Sequence, residues 1–176
     1  MTAPFSFTLR SAELRDVGAI VGLIRELADF ENLTHVLQVT PEKLRPQLFG
    51  ERPAAEALVA ELGDGKGGGE IVAFALFFTN FSTFLAQPGL YLEDLYVKPE
   101  HRGQHIGKAL LTRLAALAVE RGCGRFEWSV LDWNENAIRF YEGMGATVMP
   151  DWRICRVSGD RLGALAELAA LDAGGR

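Results

Sequence analysis

An acidic pair followed by a basic, glycine-containing turn is the part of the sequence best suited to chemistry. Glu93 and Asp94 lie in Leu90–Val97, which reads as a strand, and Arg102–Lys108 (Arg-Gly-Gln-His-Ile-Gly-Lys) opens a helical pattern over Gln104–Arg121. The first N–H groups of a helix have no partner within it, and the helix dipole there favours an anion. The segment therefore predicts two carboxylates beside an anion site, whose glycines let a pyrophosphate approach the backbone.

The glycine spacing excludes two common nucleotide sites. A Walker A loop has four residues between its first glycine and Gly-Lys, and then a hydroxyl residue. Here three residues separate Gly103 from Gly107, and Ala109 follows Lys108. A Rossmann fingerprint needs G-x-G-x-x-G near the first strand, and neither condition holds. On spacing alone the turn is either a ligand site or simply a helix start that contains glycine.

A second segment, Asp132–Gly145, combines an amide, aromatic residues and a terminal glycine. Asn134 and Tyr141 are seven residues apart, so two helical turns bring them to nearly the same face. Two structural interpretations stay open: Asn134 can cap the helix, and Tyr141 can pack beside Phe140.

The elements that position these residues follow from hydrophobic periodicity. The predicted strands are Phe5–Arg10, Ala57–Leu62, Glu70–Thr79, Leu90–Val97, Arg125–Leu131 and Trp152–Val157. The predicted helices are Arg15–Phe30, one that starts at Thr40-Pro41-Glu42 and is shortened or kinked by Pro46, Gln104–Arg121, Asn134–Met144 and Asp160–Leu171. This order predicts an α/β protein of the α+β type, with a mixed twisted sheet and helices on both faces.

Composition narrows the class of protein. The 176 residues, 48% hydrophobic and 23% charged, suit a single domain over 1–176. A net charge of −5 argues against a nucleic-acid partner. The longest apolar run, Ile71–Phe78, is too short for a bilayer, and no signal peptide is evident at the N-terminus, so we expect a cytoplasmic protein without a membrane partner. The histidines and cysteines lack metal-ligand spacing, so no metal is expected.

Together, the two segments resemble the GNAT superfamily of acyl-CoA-dependent N-acetyltransferases. The pyrophosphate loop of that family reads Arg/Gln-x-x-Gly-x-Gly/Ala, and His105 stands here at its first glycine. The second element, Asn-x-x-Ala…Phe-Tyr…Gly, is matched by Asn134, Ala137, Phe140, Tyr141 and Gly145. The resemblance implies a GNAT-like fold and acetyl-CoA as co-substrate, contacted by Leu95, Tyr96, Val97, Arg102, Gly103, Gln104, His105, Ile106, Gly107, Lys108, Asn134 and Tyr141. Two alternatives stay open, a loop-anchoring role for Arg102 and a solvent-facing Lys108.

Within the superfamily the chain is similar to the spermidine/spermine (diamine) and thialysine N-acetyltransferases, through Leu23–Ala28, Tyr91–Asp94 and Trp133–Glu135. This resemblance implies a homodimer that acetylates a small amine, with Glu93 as base through water and Tyr141 as general acid. It also implies a bulge in the acidic strand, next to backbone that binds the pantetheine arm. The implied amine pocket consists of Phe30, Glu31, Glu93, Asp94, Trp133 and Trp152.

The substrate is less closely specified than the reaction. The polyamine enzymes carry an acid before the residue equivalent to Tyr91, whereas the loop expected over Asn80–Gly89 has no carboxylate. A thialysine-like amine is therefore favoured over a long polyamine. Two alternatives stay open, namely a catalytically silent acyl-CoA-binding regulator and a protein or peptide N-acetyltransferase.

Overall fold

Five strands form one mixed sheet in the computed structural model, which describes residues 6–63 and 68–173. The strands, in sheet order, are β1 (Phe7–Ser11), β2 (Glu56–Leu62), β3 (Ile71–Ser82), β4 (Gln87–Val97) and β5 (Arg125–Trp128). The first three pairings are antiparallel and β4–β5 is parallel. The predicted mixed α/β sheet is thereby confirmed. The glycine-rich β2–β3 connection lies partly outside the described residues, as does the end of the C-terminal tail.

The helices are α1 (Val17–Phe30), α2 (Pro41–Phe49), α3 (Ile106–Glu120), α4 (Glu135–Gly143) and α5 (Asp160–Ala173). The Thr40 hydroxyl caps α2 by accepting from the Lys43 N–H at 3.3 Å. Pro46 lies inside α2, which continues for three residues beyond it. Among the described residues, no helix is long and apolar enough to span a membrane.

The chain divides into two compact units, Met1–Ser129 and Val130–Arg176. In the first, α1 and α2 share a buried apolar cluster with Val59, Phe74 and Tyr96 of the sheet. Successive strand residues point to opposite faces, so Leu95 and Val97 face the other side, where α3 begins. The predicted placement of helices on both faces of the sheet therefore holds within this unit. The second unit contains α4 and α5.

Two predicted elements are wrong. Trp152–Val157 has the alternation of a strand, but it pairs with no strand in the described part of the chain, and its Trp152 and Ile154 side chains are exposed. An alternating pattern within one segment does not provide a neighbouring strand, and a strand needs such a neighbour for its backbone hydrogen bonds. The loop expected over Asn80–Gly89 is instead a β3–β4 hairpin paired as far as Ser82 and Gln87, with a turn of only four residues.

A buried ion network joins β1, β2 and the start of α1. The Arg10 guanidinium donates to both carboxylate oxygens of Asp16, at 2.6 and 2.9 Å, and to Glu61 at 2.7 Å. Backbone N–H groups of Glu13 and Gly69 donate to the same carboxylates. Because these buried charges are paired and hydrogen-bonded, the network has a structural role.

Candidate active site

A β-bulge places Glu93 at an interruption of the sheet. Leu76 of β3 pairs with Asp94 and the next residue, Phe77, pairs with Leu92. Glu93 is thus the extra residue on β4, and its side chain is exposed. Such bulges locally disrupt the ladder and redirect a side chain, and they are over-represented beside active sites. The bulge in the acidic strand that the family resemblance implied is present.

The carboxylates of Glu93 and Glu31 lie near Asp94 at this bulge. Burial, with the nearby Glu93 and Glu31 carboxylates, raises the pKa of Asp94 to about 6. Glu31 lies at the end of α1, and burial raises its pKa as well. Concentrated negative charge in a partly buried place is unfavourable for the free protein. It suits an amine or ammonium ligand, which would relieve the repulsion.

The β5-facing edge of β4 opens directly after the bulge. The parallel ladder runs from Gly89–Arg125 to Leu92–Trp128 and stops where β5 ends. The Lys98 N–H bonds to Val72 on the β3 side. Because backbone directions alternate along a strand, Leu95 and Val97 turn their N–H and C=O groups to the open edge. The Val97 carbonyl accepts from Arg102 Nε. Within the described part of the chain, the Leu95 groups and the Val97 N–H are therefore the ones available to an extended amide-containing chain.

The start of α3 lies beside this edge and has the geometry of an anion site. His105 is the N-cap residue and makes no side-chain cap. Both Gly103 (φ +75°) and His105 (φ +63°) adopt the left-handed conformation. His105 therefore has the backbone shape that a glycine adopts readily, which fits its place at a family glycine. Turns of this kind direct successive N–H groups toward an anion.

Gly107 is not required by the fold. Its φ is not positive, and an added Cβ would meet Leu95 Cδ2 and Val97 Cγ2 at 3.8 Å, an ordinary contact. Neither conformation nor packing therefore requires a glycine in the first turn of α3. The family resemblance implies that a ligand approaches the backbone here, and this stays a prediction.

Arg102 anchors the turn to the rest of the first unit. Its Nε donates to the Val97 carbonyl at 3.0 Å. The guanidinium also lies 5.3 Å from the Phe30 ring centroid and 5.4 Å from that of Tyr96, which is within the range of cation–π attraction. These contacts fit the loop-anchoring interpretation, and contact with phosphate stays a prediction. Lys108 is exposed, in keeping with its solvent-facing alternative.

The second unit holds Trp133, Asn134, Tyr141 and Trp152. The Asn134 side-chain oxygen Oδ1 accepts from the Ala137 N–H at 3.2 Å, so this residue caps α4. Tyr141 is half-buried on α4, with its ring 5.3 Å from that of Phe140. Trp133 and Trp152 are exposed to 52% and 74%. Both structural interpretations of Asn134 and Tyr141 are thus observed, while the proposed roles of all four residues in binding or catalysis stay predictions.

The first unit therefore brings together the predicted acids, the strand edge and the helix start. Two further polar groups on the sheet were not predicted. The Tyr91 hydroxyl lies 2.8 Å from Ser129 Oγ, and Glu127 of β5 contacts Asn80 and Arg125. The hydrophobic pattern contained no signal for them, because they depend on the registers of β3, β4 and β5.

Comparison with known proteins identifies a family. Residues 20–146 match the model of the acetyltransferase (GNAT) family. The chain is 38% identical over 167 residues to thialysine N-epsilon-acetyltransferase of Mus musculus, covering 92% of this chain and 98% of that protein. It is 36% identical over 200 residues to an L-ornithine N5-acetyltransferase of Arabidopsis thaliana, covering 91% of this chain and 88% of that protein.

Solved structures show the same fold. An integron cassette protein of V. cholerae superposes with a TM-score of 0.75 at 24% identity, over 93% of this chain and 99% of the other. A ribosomal-protein-alanine N-acetyltransferase from Brucella melitensis gives a TM-score of 0.68, also at 24% identity, over 88% of this chain and 99% of the other. At these identities the likeness concerns the fold alone.

Proposed function

The chain belongs to the acetyltransferase (GNAT) family, and from that premise we propose that it transfers the acetyl group of acetyl-CoA directly to a small primary amine. The observation that carries the proposal is the bulge in β4, which joins a cluster of carboxylates to an open strand edge. The names of the similar proteins, which act on thialysine and on ornithine, support a small amine as acceptor. The family match spans the boundary between the two units, which supports one acetyltransferase domain over 1–176.

Acetyl-CoA is expected along the open edge of β4. Leu95 and Val97 have backbone groups suited to an amide-containing arm, and the start of α3, from Gly103 to Lys108, suits a pyrophosphate. A backbone N–H at this edge would also donate to the thioester oxygen as negative charge develops on it. Asn134 is proposed to contact the same co-substrate.

The acceptor must lose its proton before it attacks. An alkyl amine with a pKa near 10.4 is neutral in on the order of one molecule in a thousand at pH 7. We assign Glu93 to receive the proton through water. Asp94 and Glu31, with Phe30, Trp133 and Trp152, are assigned to hold the cationic acceptor.

The transfer itself makes one bond and breaks another. The amine nitrogen bonds to the thioester carbonyl carbon, and the carbon–sulfur bond then breaks to give an amide and the CoA thiolate. The Tyr141 hydroxyl is assigned to protonate the thiolate. The second proton, which the nitrogen loses as the amide forms, then returns to the Tyr141 oxygen. Atoms and charge therefore balance without a metal or a redox partner.

A thiol-release assay with a panel of acceptors tests this function. The panel contains thialysine, ornithine, spermidine, spermine and a peptide with a free N-terminus. Turnover of the short amines with acetyl-CoA is the expected result. Binding of acetyl-CoA without turnover of any acceptor would favour the catalytically silent regulator, and turnover of the peptide alone would favour the protein acetyltransferase.

We also propose that the protein is a cytoplasmic homodimer. Leu162, Leu165 and Leu168 follow one another at helical spacing on α5, and each is more than half exposed. Exposed apolar residues in a row favour an interface. Sedimentation analysis of the purified protein and of Leu165→Glu tests the dimer: the wild type should be a dimer and the variant should be shifted toward the monomer.

A further inference from the structure

The side chain of Arg102 contacts the end of α1. Its guanidinium carbon lies 5.3 Å from the centroid of the Phe30 ring, and Phe30 is the last residue of that helix. Its Nε donates to the Val97 carbonyl on β4 at 3.0 Å. Arg102 therefore links the turn before α3, which suits a pyrophosphate, to the helix end that is followed by Glu31. All of these residues belong to the first unit.

A second aromatic ring takes part in this contact. The guanidinium carbon lies 5.4 Å from the centroid of the Tyr96 ring, and the Tyr96 side chain is buried. Burial and the nearby Glu26 carboxylate of α1 raise the pKa of Tyr96. Glu26 precedes Phe30 by four residues, so both lie on one face of the helix. The last turn of α1 is thus held against β4 and Arg102 at two successive positions.

The backbone hydrogen bonds that close α1 lie directly beside Phe30. The Glu31 N–H donates to the Leu27 carbonyl at 2.9 Å, and the Leu33 N–H donates to the Ala28 carbonyl at 2.7 Å. Hydrogen bonds at the end of a helix open more readily than those in its middle. A contact that holds the Phe30 side chain therefore stabilises the backbone from which the Glu31 carboxylate extends.

The Glu31 carboxylate is not neutralised by the cation on its neighbour. Burial is the cause of the raised pKa of Glu31, whereas a paired guanidinium would lower that pKa. An aromatic ring attracts a cation through its face, so this contact uses no carboxylate. Arg102 can therefore hold the end of α1 and leave the charges of Glu31 and Asp94 to a bound amine.

We propose that Arg102 is a positioning residue for the acceptor amine, an inference that rests on the function proposed above. It holds Phe30, and through Phe30 it keeps the Glu31 carboxylate close to Asp94. Its part in the reaction therefore concerns the amine rather than the phosphates of acetyl-CoA. The turn that suits the phosphates begins at the next residue, Gly103, which adopts a left-handed conformation (φ +75°).

Two measurements separate this role from phosphate binding. At saturating acetyl-CoA, Arg102→Gln should raise KM for thialysine about threefold to tenfold, because a cation–π contact and a hydrogen bond are lost. Calorimetric affinity for acetyl-CoA should stay unchanged. Arg102→Lys, which keeps a cation for the rings, should recover part of the loss. Arg113→Gln removes an exposed arginine paired with Glu120 on α3 and should change neither quantity.

A double-mutant cycle tests whether Arg102 acts through Phe30. Phe30→Leu removes the ring and keeps an apolar side chain. In that background Arg102→Gln should raise KM for thialysine by less than it does alone, because the effects of residues in contact are not additive. Additive effects on KM would overturn the inference, as would a loss of acetyl-CoA affinity with an unchanged KM for thialysine.

Hydrogen exchange decides the inference independently of turnover. The Glu31 and Leu33 N–H groups should exchange about threefold to tenfold faster in Arg102→Gln than in the wild type, while those in the middle of α1 keep their rates. Equal rates at Glu31 and Leu33 would overturn the inference and leave the acetyltransferase proposal intact. If the wild type acetylates no amine, the proposed function fails, and the exchange rates still show whether Arg102 holds the end of α1.

Discussion

Asp94→Asn should make the protein more stable at high pH while it lowers activity. Burial and two neighbouring carboxylates raise the pKa of Asp94 from 3.8 to about 6. A carboxyl with a raised pKa favours the folded state when protonated and opposes it when ionised. The wild type therefore loses stability as pH rises from about 4 through 6, and the amide, which cannot ionise, avoids that loss.

The magnitude follows from the shift. About two pKa units at 1.36 kcal/mol each predict a gain in unfolding free energy of about 3 kcal/mol at pH 8. At pH 4 Asp94 is almost fully protonated in the folded state and somewhat more than half ionised in the unfolded state, and the same relation gives about 0.5 kcal/mol. The difference between the two pH values isolates the contribution of ionised Asp94.

Urea denaturation of wild type and variant at pH 4 and pH 8 measures both quantities. Asp132→Asn, at an exposed position of the second unit, is the matched control, and it should change stability by less than about 0.5 kcal/mol at either pH. A variant that is less stable than wild type at pH 8, or that differs by the same amount at both pH values, would refute the reasoning.

Four further substitutions test the proposed chemistry and the backbone of the turn before α3. Tyr141→Phe should lower kcat about 10²–10⁴-fold and leave calorimetric acetyl-CoA affinity nearly unchanged; an unchanged kcat with chemistry rate-limiting would remove Tyr141 from acid catalysis. Gly107→Asp should fold, because a Cβ has room there, and should lose acetyl-CoA affinity through bulk and negative charge; normal affinity by calorimetry contradicts the phosphate site. His105→Gly should raise stability by about 1 kcal/mol by relieving a left-handed backbone, whereas Gly103→Ala should lower it by a similar amount; urea titrations that show the same sign for both would contradict this account.

Local patterns were sufficient to predict the parts of the site that depend on sequence neighbours. The alternation of Leu90–Val97 and the helical spacing after Gln104 predicted β4 and α3, and these elements bring the acids and the glycine turn to one edge. The Asn134 cap was also predictable, because a capping amide acts within three residues of itself.

Features that depend on register could not be obtained in this way. The bulge at Glu93 exists because β3 has one residue fewer than β4 between two paired positions, and a single strand carries no signal of its partner. The family resemblance implied a bulge in this strand, but hydrophobic alternation did not indicate it. The cluster of Asn80, Arg125 and Glu127 likewise requires three strands in one register. Trp152–Val157 shows the opposite error, since it has a strand pattern and no partner.

Two sets of partly or fully buried acids in the first unit show how carboxylates of a structural ion network differ from those of the proposed site. Asp16 and Glu61 are buried, but Arg10 and backbone N–H groups hold their pKa values below the usual range. Asp94 has a raised pKa, because it is largely buried and because the charges that act on it are carboxylates. Paired acids stabilise the fold at neutral pH and lose that effect as pH falls, whereas Asp94 costs stability at the same pH. Perturbed pKa values cluster at functional sites. A bound amine would supply positive charge beside Asp94, and for that reason we propose the bulge, rather than the Arg10 network, as the place for the reaction.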